Sequence, residues 1–256
     1  PPPPPPRHYP VDDPKVAGAY GEWKDYNAYS DFISSEGVPV FYARVDHVSV
    51  PLAQEGTGQV VVDFTPEPLT QDVSFVFHIE KTADVVVDSL TAEISGIPST
   101  MELTTGLILA QKTYKLLFRP TYAALPSAAD SASAEALRCE ASVNIPGIVR
   151  SHTEDMVTGP GILQIAIYTH YDYEEEGTQR KAAKVFHAGI NLYHTLKERK
   201  SLQWDEEENG YRQASRSITV EIGSPLNIDK DGILNGGSTS TGLDQWIPGE
   251  TFEIEV

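Results

Sequence analysis

Apolar and polar side chains alternate along several stretches of this chain. Val73, Phe75, Phe77 and Ile79 share one phase of a run ending at Glu80, and Leu90-Thr-Ala-Glu-Ile94 repeats that period before Ser95-Gly-Ile-Pro98. The rhythm returns in Leu137 to Val143, in Ile218 to Ile222 and in Phe252 to Val256. Successive side chains of a strand point to opposite faces, so a period of two marks strands with one buried side. The pattern predicts an all-β protein, mostly antiparallel, with one wet face per sheet.

Candidate strands fall into two groups. The first comprises Val38 to Val50, Gln59 to Phe64, Val73 to Glu80, Val85 to Ile94, Leu103 to Ala110 and Tyr114 to Arg119. The second comprises Leu137 to Val149, Ile162 to Tyr173, Lys184 to Leu192, Ser217 to Ile222 and Thr251 to Val256. Between them, residues 123–136 are small and polar without apolar periodicity, as a connector or short helix between domains would be. The expected organisation is an irregular proline-rich arm over 1–37, a sandwich over 38–122, a linker over 123–136 and a second sandwich over 137–256. In the arm, six prolines precede an aromatic run that includes Tyr20, Trp23, Tyr26 and Tyr29. Proline favours extended backbone and donates no ladder hydrogen bond.

At 256 residues, either one large domain or two of ordinary size can bury a sufficient core. Nineteen Lys and Arg oppose 37 Asp and Glu, a formal net charge of −18. Binding to a phosphate backbone rests on counterion release by basic side chains, so no nucleic-acid partner is expected. No run reaches the ~18 to 20 apolar residues that cross a bilayer, and the opening residues lack the pattern of a secretion signal. The chain is expected to be soluble as it stands.

Chemical motifs are sparse. The glycines form neither a dinucleotide-binding fingerprint nor a phosphate loop, and no nucleophile elbow is present. Ser95-Gly96 follows a strand but lacks the upstream glycine of such an elbow. The seven histidines, His8, His47, His78, His152, His170, His187 and His194, show no zinc spacing, although His78, His170 and His187 fall on strands that could meet in space. Cys139 shares its phase with Leu137, Ala141 and Val143, which fits a buried apolar role. The acidic runs at 171–176 and 205–208 precede glycines and read as solvated hairpin tips. Asn227, Asp229 and Asp231 before Gly232 resemble the first half of a calcium loop. Ser238 stands where the closing Glu would be, so an Asx-rich turn is expected instead. No catalytic residue, metal or cofactor is assigned.

The runs Val73-Ser-Phe-Val-Phe-His-Ile79, Leu90-Thr-Ala-Glu-Ile-Ser-Gly-Ile-Pro-Ser-Thr100 and Leu103-Thr-Thr-Gly106 resemble the first domain of Bacteroidales fimbrial anchor and tip accessory proteins, the FimB-like, fimbrillin-associated family. Leu137 to Val143 is similar to the strand opening that family's second domain. Asp231-Gly232, Gly236-Gly237, Trp246 and Phe252 to Val256 are similar to its carboxy-terminal signature. The resemblance spans roughly residues 40–256. It implies two transthyretin-like, Greek-key β-sandwich domains in tandem, in an outer-membrane lipoprotein that serves as an anchor, accessory or tip subunit of a surface fimbria. Its partners would be fimbrial subunit proteins, its lipid anchor would lie upstream of these residues, and no catalytic residues accompany it.

Three function classes follow. A non-catalytic cell-surface structural or adhesion protein would pair sheet edges or terminal strands with neighbouring subunits. The assembly strand would then carry Phe252, Ile254 and Val256 on one face; burying three such side chains is worth on the order of 5 kcal/mol. A secreted carbohydrate- or peptide-binding sandwich would instead use Trp23, Trp204, Trp246 and the tyrosines at 168, 171 and 173 as stacking faces. The third class, a hydrolase, has no assembled site in the sequence to support it.

Overall fold

A computed structural model describes residues 31–33, 39–45, 47–49, 61–103, 107–125, 134–149, 160–199, 201–203, 216–234 and 246–254. The chain is an all-β sandwich of two six-stranded sheets. Strands β1 (Asp31–Ile33), β2 (Phe41–Tyr42), β3 (Glu67–Pro68), β4 (Gln71–Thr82), β5 (Val85–Met101), β6 (Ile108–Phe118) and β7 (Thr121–Ala124) come first. They are followed by β8 (Ala134–Ile145), β9 (Ile148–Val149), β10 (Ile162–Glu175) and β11 (Thr178–Asn191), then by helix α1 (Tyr193–Glu198). The remaining strands are β12 (Leu202–Gln203), β13 (Ser217–Glu221), β14 (Leu226–Ile228), β15 (Ile233–Leu234) and β16 (Ile247–Ile254).

One sheet has the order β1-β6-β5-β10-β11-β16; the other runs β15-β14-β4-β8-β7, with β13 also on β4. Strand β4 takes two parallel partners along one edge. Ser217 to Glu221 lie against Asp72 to Val76, and Leu226 to Ile228 lie against Ile79 to Lys81. Gly223, Ser224 and Pro225 interrupt what would otherwise be one strand.

The alternating residues become a single core. Val73, Phe75, Phe77 and Ile79 of β4, Leu137, Cys139 and Val143 of β8, and Val220 of β13 meet Leu90, Ala92 and Ile94 of β5, Leu116 of β6, Ile165 and Ile167 of β10 and Phe186 of β11. On β4, on β8, on β13 and at Leu90 to Ile94 of β5, these positions hold the phase that the alternating pattern assigns to the buried face.

The tandem arrangement is corrected by this pairing. Strand β4 pairs with β8 from Gln71↔Ile145 to Thr82↔Ala134, and β5 pairs with β10 from Leu163↔Ile94 to Tyr171↔Val85. Both sheets therefore mix strands from before and after residue 123. Part of the expected linker is strand: Ala124 pairs with Leu137, and the Leu125 amide donates to the Ala136 carbonyl at 2.8 Å. Strand β7 is an edge strand whose four residues are exposed, with Tyr122 opposite Cys139 on its inward side. The arm is corrected in part as well, since Asp31 to Ile33 lie parallel to Tyr114 to Leu116 on β6. The rest of 1–37 lies outside the described residues.

The two outer faces differ. On the sheet containing β4, outward residues are mostly polar, with Val76 (8% exposed) the apolar exception on β4: Ser74 bonds Ser142 at 3.3 Å and Asn144 donates to Asp72 at 2.7 Å. On the sheet containing β6, the outward Lys115 is 1% exposed and Val185 6%. Glu93, Gln164, Ala166, Tyr168 and His187 on that face are half-buried. One wet face per sheet holds for most of the first sheet and fails for the second.

Candidate functional site

Two features stand apart from the core, namely the sheet edges and a ribbon formed by β10 and β11. These strands stay paired through Glu175↔Thr178, whereas β5 ends opposite Tyr171 and β16 is described to Ile254, opposite Ala183. All residues from Asp172 to Lys181 are exposed, so the ribbon projects past its neighbours. Glu176 (φ 52°) and Gly177 (φ 76°) close it. Two successive positive φ values form the tight turn whose twist matches antiparallel strands. Arg180 Nη1 braces the ribbon at 2.9 Å from Glu175 Oε2. At the root, Lys184 Nζ donates to the Lys230 carbonyl at 2.8 Å and lies 5.3 Å from the centre of the Tyr171 ring.

Of the aromatic residues named from the sequence, Tyr171 and Tyr173 come together, with ring centroids 6.3 Å apart. Tyr168 lies on the opposite face of the strand by alternation. Trp246 is a core residue, 6% exposed, edge-on to Phe77 at 5.8 Å. Its indole N–H donates to the Ser224 carbonyl at 2.9 Å. Trp23 and Trp204 lie outside the described residues.

The strand histidines do not converge. His78 sits on the outer face of the sheet containing β4, while His170 and His187 occupy the outer face of the other. His187 pairs with Ala166 in the β10–β11 register. That places it four residues along from His170, about 13 Å. Burial pushes the His187 imidazole down to about 4. His170 Nδ1 lies 2.8 Å from Asp88 Oδ1 and 3.0 Å from Oδ2. The register places Asp88 in a bulge, since Ser89 pairs with Tyr168 and Val87 with Thr169. A bulge re-aims its side chain, here toward the imidazole. The Tyr122 hydroxyl caps the same bulge, donating to the Val87 carbonyl at 2.8 Å and the Asp88 carbonyl at 3.2 Å. Its pKa is raised by burial first and by the Asp88 charge second. A carboxylate on an imidazole orients a base, but by itself it supplies no nucleophile.

Asn227 pairs with Leu234 in the β14–β15 hairpin. Asp229 Oδ1 accepts the amides of Asp231 at 2.7 Å and Gly232 at 2.9 Å, forming the Asx turn that the sequence suggests. Among the described residues, no group of three or more His, Cys, Asp or Glu could hold a metal ion. Cys139 is fully buried, and burial raises its thiol to about 12.

Ser95 and Gly96 serve a packing role that sequence reasoning missed. The Ser95 hydroxyl accepts the Ile162 amide at 2.8 Å, and its carbonyl accepts the Gly161 amide at 3.1 Å. Gly96 has φ +85°, and a Cβ there would stand 2.5 Å from Pro160 Cβ. Only glycine fits both that conformation and that contact. The isolated Gly after a strand was the available signal.

For the assembly strand, Phe252 pairs with Val185 and Ile254 with Ala183. Strand β16 forms an outer edge of its sheet, and β1 forms the other. Val256 lies outside the described residues. No helix among the described residues is long and apolar enough to cross a membrane. No family model matches the chain, and no curated protein or solved structure matches it.

Proposed function

We propose that this chain is a non-catalytic cell-surface structural protein, an anchor, accessory or tip subunit of a fimbria, that meets neighbouring fimbrial subunits through its sheet edges. One observation carries the reading: the first and last described strands, β1 and β16, occupy the two edges of a single sheet. Edge strands are the elements most readily offered to, or completed by, another subunit. Because β16 pairs within its own sheet, the reading favours a terminal accessory subunit over a stalk subunit that donates its last strand. Anchoring at the outer membrane belongs to the same proposal and rests on the family resemblance of residues 40–256.

The test is genetic and structural. Cells lacking the protein should shed or lose surface filaments, and deletion of residues 251–256 should unfold or aggregate the isolated protein. Unchanged filaments would overturn the fimbrial role. A folded truncated protein whose free terminal peptide binds a different subunit would reassign the strand as a donor.

A second reading has its own observation, the Tyr171–Tyr173 pair on the exposed ribbon beside Lys184 and Arg180. Aromatic faces next to charged donors suit a sugar or an extended peptide. Tyr173→Ala should abolish retention on a glycan or peptide array if that reading holds, and leave filament attachment intact.

A further inference from the structure

The outer strands of the two sheets are guarded unequally. Strand β16 carries Pro248, Glu250, Glu253 and a register shift against β11, β1 opens on Asp31, β13 ends on Glu221, and β15 has two residues. Charge, proline, bulges and brevity are the devices that keep a sheet edge from pairing with another chain. Strand β7 has none of the first three. Thr121, Tyr122, Ala123 and Ala124 are uncharged and exposed, and the bond from the Leu125 amide to the Ala136 carbonyl extends the pairing by one residue. Tyr122 is 38% exposed and Leu125 37%. The strand is also braced, because the Tyr122 hydroxyl donates to the Val87 and Asp88 carbonyls of the opposite sheet.

Backbone phase decides what this edge presents. A residue in an antiparallel strand turns its amide and carbonyl to the same side, and the side alternates along the chain. Leu125 donates to β8, so Thr121, Ala123 and Leu125 face β8 while Tyr122 and Ala124 face outward, where no strand lies among the described residues. A second copy of β7, related by a two-fold axis through Ala123, satisfies every one of these outward groups. Tyr122 of each copy then exchanges both of its bonds with Ala124 of the other.

The side chains fit the same axis. Tyr122 comes beside the small Ala124, Thr121 beside Leu125, and Ala123 meets its own copy. Moving the axis to Tyr122 would set Ala124 opposite Pro120, which has no N–H to give. Moving it to Ala124 would carry Tyr122 beyond Leu125, where the pairing of β7 ends. Charge selects the partner as well. The formal net charge of −18 disfavours self-association in general, but Arg138 and Glu140, opposite Ala123 and Thr121 on β8, form an ion pair with each other. A neutral edge on an acidic protein suits a neutral strand, and β7 is itself one.

We infer that two copies of this chain join through β7, antiparallel about Ala123, so that the sheets containing β4 continue from one copy into the other. This interface stands apart from the fimbrial reading, which uses the edges of the other sheet.

The full chain should show a monomer–dimer equilibrium in analytical ultracentrifugation. A123K sets two like charges opposite each other across the axis and should weaken dimerisation by about tenfold or more, with the far-ultraviolet spectrum unchanged. An equimolar mixture of A123K and A123E should dimerise again. The register has its own readout. Ala123 and its copy form a non-hydrogen-bonded pair with Cα atoms about 4.5 Å apart, within disulfide reach, so A123C should give a covalent dimer on mild oxidation. T121C should not, because Thr121 and its copy lie four residues apart along the strands, about 13 Å. The buried Cys139 will not compete. A chain that stays monomeric, a dimer that A123K leaves intact, a mixture that stays monomeric, or T121C crosslinking as readily as A123C would overturn the inference.

Discussion

Phe77 and Trp246 meet edge to face across the core, ring centroids 5.8 Å apart and planes at 65°. One belongs to β4, the longest-paired strand of its sheet, and the other immediately precedes β16 on the opposite sheet. A second contact, Phe75 stacked on Phe118 at 5.6 Å, joins the same two sheets. With strands from both halves of the chain in one core, folding should be a single cooperative event. Heating should give one transition, seen alike by calorimetry and circular dichroism. Trp246→Ala should destabilise by about 3–5 kcal/mol, the usual cost of emptying a large aromatic site. Trp246→Phe should cost less, keeping the ring contact and losing the bond to Ser224. Two separable transitions would contradict the single core.

His187 makes stability depend on pH. Its folded value, about 4, lies below the ordinary imidazole value of 6.5, so the unfolded chain binds the extra proton first as pH falls. Stability contributed by the neutral ring is fully present above about 6.5 and is lost progressively toward pH 4. The full loss is on the order of 3 kcal/mol, because each pH unit between the folded and unfolded values is worth about 1.36 kcal/mol. In urea titrations between pH 7 and 4, His187→Gln should flatten this part of the decline. An identical slope in the variant would remove His187 as the cause.

Lys115 and Glu93 should respond asymmetrically. Lys115→Met leaves the Glu93 carboxylate under cover without its partner and should cost about 3 kcal/mol, given the penalty for orphaning a buried charge. Adding Glu93→Leu should recover most of that loss, since two apolar side chains can fill the same space. A double-mutant cycle in denaturant tests this, and strict additivity would show that the pair is not energetically coupled.

Cys139 should be inert in the folded protein. Its thiol is raised to about 12, so almost no thiolate forms at neutral pH, and the sulfur is buried besides. A colourimetric thiol reagent should react fully in guanidinium and negligibly without it. Rapid labelling of the native protein would imply an opening of β8 that the paired register does not allow for.

Asp229 should act through its turn. Asp229→Ala removes the acceptor of two backbone amides and should cost about 1 kcal/mol, as loss of a local cap does. Calcium or a chelator should leave the melting temperature of the native chain unchanged. A rise of several degrees with calcium, abolished by Asp229→Ala, would establish a cation site instead.

The alternation along Val73 to Ile79, Leu90 to Ile94 and Leu137 to Val143 was sufficient to read the strands, their buried phase and the core role of Cys139. These are local properties: a strand with one buried side must repeat every two residues, whatever lies across from it. The Asx turn at Asp229 was legible for the same reason, because its donors lie two and three residues away. The pairing of β4 with β8 and of β5 with β10 was not, since register between distant strands leaves no periodic mark. A loop of small residues therefore read as a boundary between domains. Likewise, Asp88 faces His170 only because a bulge turns it.

Sequence alone thus determined the element type and inward side of the strands with sustained alternation, and the polar turns, all set by interactions within a few residues; it misread Gln59 to Phe64, whose residues 61–64 are irregular and mostly exposed, and Val38 to Val50, of which only Phe41–Tyr42 is strand among the described residues. Tertiary structure alone decided that the strands form one sandwich rather than two, that Trp246 lies inside it, and that Lys115 is sealed on a face alternation would leave wet. Each of those outcomes depends on which distant segment arrives opposite a residue. That is fixed by the packing of the whole chain into a single core, to which no short stretch of sequence refers.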